Sequence, residues 1–360
     1  MDAQLTVIRD KVRQGQRLSK EEGLFLYQHP DLLAVAAIAR ERKLAISGPI
    51  VFFNVNRHIN LTNICVSRCK FCAFGVDEDG GGGPYCMTPD EALAYGAQAV
   101  DQGITEFHVV SAMHPSMPID YYVEVIQKLH DAYPHIHIQA FTAVEIFHMA
   151  KISGKTVEEV LLMLQKAGMG SIPGGGAEIL NDQIRSELCP RKASSAEWLQ
   201  VHCKAHQLGI KTNCTMLYGH VETLEDRIDH FCQLRALQDE APGFQSFIPL
   251  PFLPENTQLT DIKRTSAVDD LRTIAVSRLM LDNIPHIKAF WIMLGLPIAQ
   301  VSLDFGADDI DGTVVEERIM HAAGAATERG ISKQDLITLV KEAGYQPVER
   351  DTLYNVIQRF

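Results

Sequence analysis

Apolar positions along this chain follow two alternating rhythms. Helix-spaced stretches end at glycine, and short runs of mostly apolar, β-favouring residues follow them. Gly103-Ile104, Gly168-Met169 and Gly209-Ile210 stand at such junctions, and Pro134 stops a helix before His135-Ile136-His137-Ile138. Glycine suits a helix end because it enters the left-handed conformation without steric cost. Helix starts are marked by Thr88 to Glu91, Thr156 to Glu159, Ser194 to Glu197, Thr223 to Asp226 and Ser332 to Asp335, each a Ser/Thr cap with an acid three residues on. Pro89 falls at a first helical position, where its missing N–H is harmless. Between the helices the pattern predicts strands over His58 to Ile64, Ile104 to Val110, Ile136 to Phe141, Gly170 to Pro173, Lys211 to Leu217, Phe244 to Leu250, Ile287 to Ile292 and Ala299 to Phe305. Short apolar strands separated by helices are the mark of a parallel sheet buried on both faces. Eight such α/β units predict a (β/α)8 TIM-type barrel. The fourth and eighth strands are the least marked, so an open six-stranded part-barrel is the alternative. Residues 1–50 read as an N-terminal helical extension, 51–330 as the barrel, and 331–360 as a C-terminal helical segment packed on it. The Asp79-Gly80-Gly81-Gly82-Gly83-Pro84 run reads as a flexible surface loop.

Composition narrows the class. Of 360 residues, 46% are hydrophobic and 22% charged, which supports a packed core and excludes wholesale disorder. The longest apolar run, Leu32 to Ala39, lies between Asp31 and Arg40 and is too short to span a bilayer. Asp2, Arg9, Asp10 and Lys11 open the chain without an apolar segment behind them, so no secretion signal is read. A net charge of -12 disfavours a nucleic-acid binder, which needs a basic footprint. With no export signal, the eight cysteines point to reduced thiols, metal ligation or catalysis rather than disulfides. The expectation is a cytoplasmic, enzyme-sized protein.

The strongest chemical signal is Cys65-Val66-Ser67-Arg68-Cys69-Lys70-Phe71-Cys72, a C-x3-C-x2-C spacing directly after the first predicted strand. A barrel keeps its active-site loops at that end of a strand. Thiolates suit zinc, cuprous copper or an iron–sulfur cluster. Structural zinc wants four protein ligands, which Cys86 would complete; that gives the alternative of a non-catalytic zinc-stabilised barrel. A cubane cluster on three cysteines instead leaves one iron free.

Cys65, Cys69 and Cys72, with Phe71 before the last, resemble the signature of the radical S-adenosylmethionine (SAM) superfamily. The resemblance implies a [4Fe-4S] cluster on those cysteines. Its open iron would bind SAM as co-substrate, Phe71 would lie near the adenine, and a low-potential donor such as flavodoxin or ferredoxin would supply the electron. Asn56 to Asn60, Phe141 to Ile146, Pro173 to Ile179, Met216 to Thr223, Phe247 to Leu250 and Arg278 to Pro285 resemble the branch of menaquinone-pathway and deazaflavin enzymes. His286 to Trp291 and Gly306 to Thr313 resemble the aminodeoxyfutalosine synthase family in particular. That likeness implies addition of the 5′-deoxyadenosyl radical to the aromatic enol ether 3-[(1-carboxyvinyl)oxy]benzoate. The products would be 6-amino-6-deoxyfutalosine, methionine and carbon dioxide or bicarbonate. The cyclising enzyme of the same pathway, which releases 5′-deoxyadenosine with its product, is the alternative within the branch. Two segments depart from the pattern: Ser111-Ala112 stands where relatives more often carry two glycines, and Leu253 where a polar residue is usual.

A position filter sorts the remaining candidates, since reacting groups belong at the C-terminal ends of barrel strands. Ser111, His114, Thr142, Glu145, Gly174 to Glu178, Tyr218, His220, Glu222 and Asp308 pass it. By the resemblance Ser111 and Gly175 approach SAM through backbone groups; a plain tight βα turn accounts equally for the glycines. Glu145 and Glu178 suit ribose hydroxyl or ammonium contacts, or else cap helices. His220 suits a substrate carboxylate or a proton near neutrality, or else a structural hydrogen bond. The substrate carboxylates ask for a cation, and Arg185, Arg191 and Arg278 are the arginines considered. Cys86, Cys189, Cys203, Cys214 and Cys232 show no second ligand spacing and read as small hydrophobes.

Overall fold

The computed structural model describes residues 2–79 and 83–360; the glycines at 80, 81 and 82 of the expected surface loop lie outside the described residues. Three helices open the chain, α1 (Ala3–Arg13), α2 (Lys20–Gln28) and α3 (Leu32–Ser47), as the first rhythm predicts. All five cap signals are realised: Thr88, Thr156, Ser194, Thr223 and Ser332 each accept from the backbone N–H three residues on.

Strands follow as β1 (Ile50–Asn54), β2 (Asn56–Ile59), β3 (Glu106–Val109), β4 (His137–Ala140), β5 (Ser171–Ile172), β6 (Lys211–Tyr218), β7 (Phe244–Pro251), β8 (His286–Ile287), β9 (Asp309–Gly312), β10 (Gln346–Arg350) and β11 (Val356–Arg359). β2 to β8 form one seven-stranded sheet in chain order, every pair parallel. This is the α/β barrel expected from the alternation, and it carries one strand more than the open six-stranded alternative.

The eighth staves differ from the expectation. Ala299 to Phe305 is helical, as Leu296–Val301 and a 3-10 turn over Ser302–Phe305. Its buried Ala299 and Leu303 stand four apart, a helical spacing, and Gly295 and Gly306 bracket it. The eighth stave is the stretch from β9 to Val315. It lies beside β8 through Ala289 N–H to Asp309 O (2.8 Å), and beside β2 through His58 N–H to Val315 O (3.1 Å). Closure of the ring therefore rests on a segment too rich in aspartate to advertise itself as a strand. The run Ile287 to Ile292 is also shorter than expected. Extended structure stops at Ile287, and Trp291–Leu294 makes one helical turn. Every residue from Ile287 to Leu294 is buried, so alternation had nothing to select strand over helix.

The closing segment is helical only over Lys333–Glu342. β10 runs parallel to β1, and β11 returns antiparallel along β10. The sheet β11-β10-β1-β9 shares its last strand with the ring. At the N-terminal end of the ring, Asp308 and Arg278 form a fully buried ion pair.

Candidate active site

The loop that carries the three cysteines is held from four sides by backbone hydrogen bonds. Cys65 N–H donates to Val76 O (3.0 Å), Val66 N–H to Met113 O (2.9 Å), Lys70 N–H to Leu188 O (2.8 Å), and Gln258 N–H to Lys70 O (2.9 Å). Cys65, Cys69 and Cys72 thereby line one cavity of about 220 Å³, together with Phe71 and loops from the C-terminal ends of the barrel strands. Its remaining wall is largely apolar and includes Met113, Val144, Leu217, Leu250, Phe252 and Leu253. Cys69 is buried, with Ser67 Oγ 3.1 Å from its sulfur. Its pairing with Cys189 lowers the Cys69 pKa against the opposing effect of burial, whereas burial pushes Cys72 up.

These residues fit a thiolate-held cluster. Three thiols face one chamber, one of them is poised to ionise, and the thiolate is the form that binds metal. Among the described residues no three His, Cys, Asp or Glu side chains converge as the ligands of one ion must. A cubane places each thiolate on a different iron and has no such requirement. Cys86 is exposed, does not line the cavity and pairs through its backbone with Thr62, so the four-cysteine zinc site is not assembled.

Ser111, Glu145, Gly175 and Glu178 line the same cavity. Glu145 is both cap and clamp. One oxygen accepts from Thr142 N–H (2.8 Å) and Oγ–H (2.6 Å), and the other from Ser111 N–H (2.7 Å), which ties the loop after β3 to the helix after β4. Burial raises its pKa to about 7 against these three bonds. Ser111 Oγ accepts from Thr62 N–H (3.0 Å) and lies 3.3 Å from Thr62 O, so this serine stitches two loops together. Leu253 packs as part of the apolar wall.

The three glycines after β5 have separate reasons. A Cβ on Gly174 would stand 2.7 Å from the Cys214 backbone, and Gly176 has φ +89° with Val144 against it. Those two are required by packing and conformation. At Gly175 a Cβ would meet only the Thr142 methyl, at 3.0 Å. Gly174→Ala is therefore expected to push β5 from β6 and cost about 1–3 kcal/mol, the usual range for overpacking. Urea unfolding of the anaerobic holoprotein checks it.

Several candidates lie elsewhere. His220 does not line the cavity; its ring bonds to Leu217 O (3.0 Å) and lies against Glu222, and burial lowers its pKa. The structural hydrogen-bond account holds for it. Glu222 caps the loop by accepting from Gly219 N–H (2.6 Å) and Arg227 (2.9 Å), and Tyr218 donates to Asp270 (2.8 Å). Asp308 sits at the opposite end of the ring, because the eighth stave starts at Asp309 instead of ending near Phe305.

None of the three arginines reaches the cavity. Arg185 donates to Ala177 O and Ala193 O, Arg191 to Val66 O (3.2 Å), and Arg278 pairs with Asp308. Sequence reasoning missed Lys192, which lines the cavity, pairs with Glu178 and lies 5.3 Å from the Phe71 ring centroid. Burial opposes its charge, yet Glu178, Cys69 and Cys189 hold its pKa above the ordinary lysine value. A second, deeper cavity of about 130 Å³ adjoins the first and is lined by His58, His108, Asn213, Lys288 and Asp311, among others.

Comparison with known proteins follows the same lines. Residues 59–232 match the model of the radical SAM superfamily, and 241–359 that of the CofH/MqnC C-terminal region. The chain is 44% identical to aminodeoxyfutalosine synthase of Thermus thermophilus, covering 99% of this chain and 97% of that protein. It is 40% identical to the protein of that name from Streptomyces coelicolor, over 100% and 96% of the two. It is 41% identical to 5-amino-6-(D-ribitylamino)uracil–L-tyrosine 4-hydroxyphenyl transferase of Archaeoglobus fulgidus, over 89% and 92%. Among solved structures, methylornithine synthase shares the fold with a TM-score of 0.77 at 18% identity, over 94% of this chain and 97% of that one.

Proposed function

The chain belongs to the radical SAM superfamily, and from that premise we propose that it is an aminodeoxyfutalosine synthase acting in menaquinone biosynthesis. It is an enzyme of the [4Fe-4S] cluster and SAM, a radical SAM transferase. The substrate proposed is 3-[(1-carboxyvinyl)oxy]benzoate, and the products are 6-amino-6-deoxyfutalosine, methionine and carbon dioxide or bicarbonate. The observation that carries this reading is one chamber shared by three cysteines and an apolar wall, with an adjoining cavity lined by His58, Lys288 and Asp311, among others.

Cys65, Cys69 and Cys72 hold the cluster, which when bound supplies the electron that splits the sulfonium of SAM. The side chains of this protein do the rest. Glu178 and Lys192 offer a carboxylate and an ammonium to the amino-acid and ribose groups of SAM, and Phe71 offers a ring face. Gly175 lets the backbone approach, while Glu145 and Ser111 fix the loop on which that approach depends. Met113, Val144, Leu217 and Phe252 exclude water, which a carbon radical directed at a double bond requires. No described helix is long and apolar enough to cross a membrane. A cytoplasmic place and a flavodoxin- or ferredoxin-type donor complete the proposal.

The test is anaerobic turnover of reconstituted protein with reductant, adenosyl-labelled SAM and the enol ether. Equal amounts of methionine and a labelled adenosine–benzoate adduct are expected. Label recovered only as 5′-deoxyadenosine would overturn the assignment. The archaeal relatives give a second reading its weight, so a parallel reaction receives tyrosine and 5-amino-6-(D-ribitylamino)uracil. No product is expected there. A third reaction receives dehypoxanthine futalosine, where the cyclising alternative would release 5′-deoxyadenosine in step with product.

A further inference from the structure

We propose that the deeper cavity is the seat of the substrate's ring carboxylate, with Lys288 as its cationic partner and His58 Nε2–H as a second donor. The inference rests on the function proposed above and names which end of that substrate lies where. A dianionic aryl substrate brings two carboxylates into a chamber walled mostly by hydrocarbon. An unpaired carboxylate there is costly, so each needs a cation or convergent donors.

Among the described residues, three lysine or arginine side chains line the two joined cavities. Arg68 donates to Gly75 O (3.1 Å) on the cysteine loop, and Lys192 is paired with Glu178 beside Phe71. Lys288 alone of the three lines the deeper cavity. It follows β8 immediately and is 5% exposed; one of its three N–H groups is taken by Asp311 (3.1 Å). His58 comes from β2, across the ring closure. It is 8% exposed, its ring stacks on His108 at 4.4 Å between centroids, and its Nε2 has no partner among the described residues. A buried polar atom left unpaired is costly, and a ligand acceptor relieves that cost.

The carboxylates nearby are already committed. Asp311 faces Lys288. Glu317 accepts from Ile319 N–H (2.7 Å), Met320 N–H (2.9 Å) and His321, and Glu106 bonds to His108, Asn54 and Thr352. Val110, Thr142, Leu250 and Met320 line both cavities. A ring held between them places one carboxylate on Lys288 and leaves the enol ether facing the cysteine loop.

The experiment compares 3-[(1-carboxyvinyl)oxy]benzoate with 2-phenoxyacrylate, the same enol ether without the ring carboxylate, on anaerobic holoenzyme. Both kcat/KM and the equilibrium Kd without reductant are measured. Wild type is expected to prefer the benzoate by roughly tenfold to a hundredfold, the range for a charge-assisted hydrogen bond. K288M is expected to bring that ratio close to one, and K288R to restore most of it. Because K288M leaves Asp311 buried and unpaired, K288M/D311N is read beside it and should lose the preference as well. A wild-type preference retained in K288M or in the double variant would overturn the proposal, as would no preference in wild type. If wild type splits SAM yet binds and converts neither compound, the function proposed above fails and this assignment fails with it.

Discussion

Cys69→Ser is expected to abolish cluster binding and to lower turnover by more than about a thousandfold, equivalent to roughly 4 kcal/mol or more of barrier. The reasons are local. Cys69 is 5% exposed, and its pairing with Cys189 lowers its pKa. The nearby ammonium of Lys192 and the hydroxyl of Ser67 act in the same direction. These groups favour the thiolate of Cys69, the form that binds iron. A serine hydroxyl does not ionise near neutral pH, and its hard oxygen is a poor substitute for a soft sulfur. Iron and sulfide content and the visible absorption of the anaerobically reconstituted protein should fall together with turnover. Cys86→Ser is the control. Cys86 is exposed and stands off the cavity, so iron content and turnover should stay near wild type. Iron kept by the Cys69 variant, or lost from the Cys86 variant, would refute the assignment of the cage.

What the sequence makes legible depends on how local the determining physics is. The cysteine spacing, the Ser/Thr caps and the glycine stops are each decided within a few residues, and each appears where the pattern places it. The eighth stave is decided by closure of the ring. Asp309, Asp311 and Gly312 make a poor strand by composition and become one because β8 and β2 leave backbone groups to satisfy on either side. That misplacement carried Asp308 to the wrong end of the barrel. The cation for the substrate was hidden for another reason. Arg185 and Arg278 are buried and bonded to backbone carbonyls, and Arg191 is exposed and donates to Val66 O, so none of them offers the cation. Lys288 follows β8 directly, but the apolar run from Ile287 to Ile292 reads as one strand and puts it near a strand start, where the filter rejects it; Lys192 follows Cys189-Pro190 after the helix Asp182–Leu188. Both depend on tertiary structure: β8 ends at Ile287, earlier than its apolar run suggests, and the segment after the helix Asp182–Leu188 comes back to the cysteine loop.

Asp308→Asn is expected to be the most destabilising of the single changes considered, by about 3–5 kcal/mol, the range for breaking a buried ion pair from one side. Arg278 and Asp308 are both at 0% side-chain exposure. One oxygen of Asp308 accepts from Arg278 (2.5 Å) and Ile287 N–H (2.9 Å); the other accepts from Ser47 Oγ–H (2.5 Å) and lies 2.9 Å from His286 Nδ1. A single carboxylate therefore joins α3, the start of β8 and the start of the closing stave. Asparagine removes the charge that balances Arg278 and turns an N–H group toward donors, so the deficit has two sources. Burial works against the carboxylate, but Arg278 and His286 hold its pKa well below the usual range. A depressed folded-state value means stability that is present above the unfolded pKa of about 3.9 and lost as pH falls through the folded one. The gap between wild type and Asp308→Asn should accordingly be full at neutral pH and narrow only in strong acid. Urea unfolding of anaerobic holoprotein at neutral pH measures the gap, and thermal unfolding across the acid range follows its closure. Replacing both partners, as R278M/D308L, should cost less than Asp308→Asn alone, because no charge is then left buried without a counterion. A single variant within about 1 kcal/mol of wild type, below the range for a broken buried pair, would show that the pair does not hold the closure of the ring.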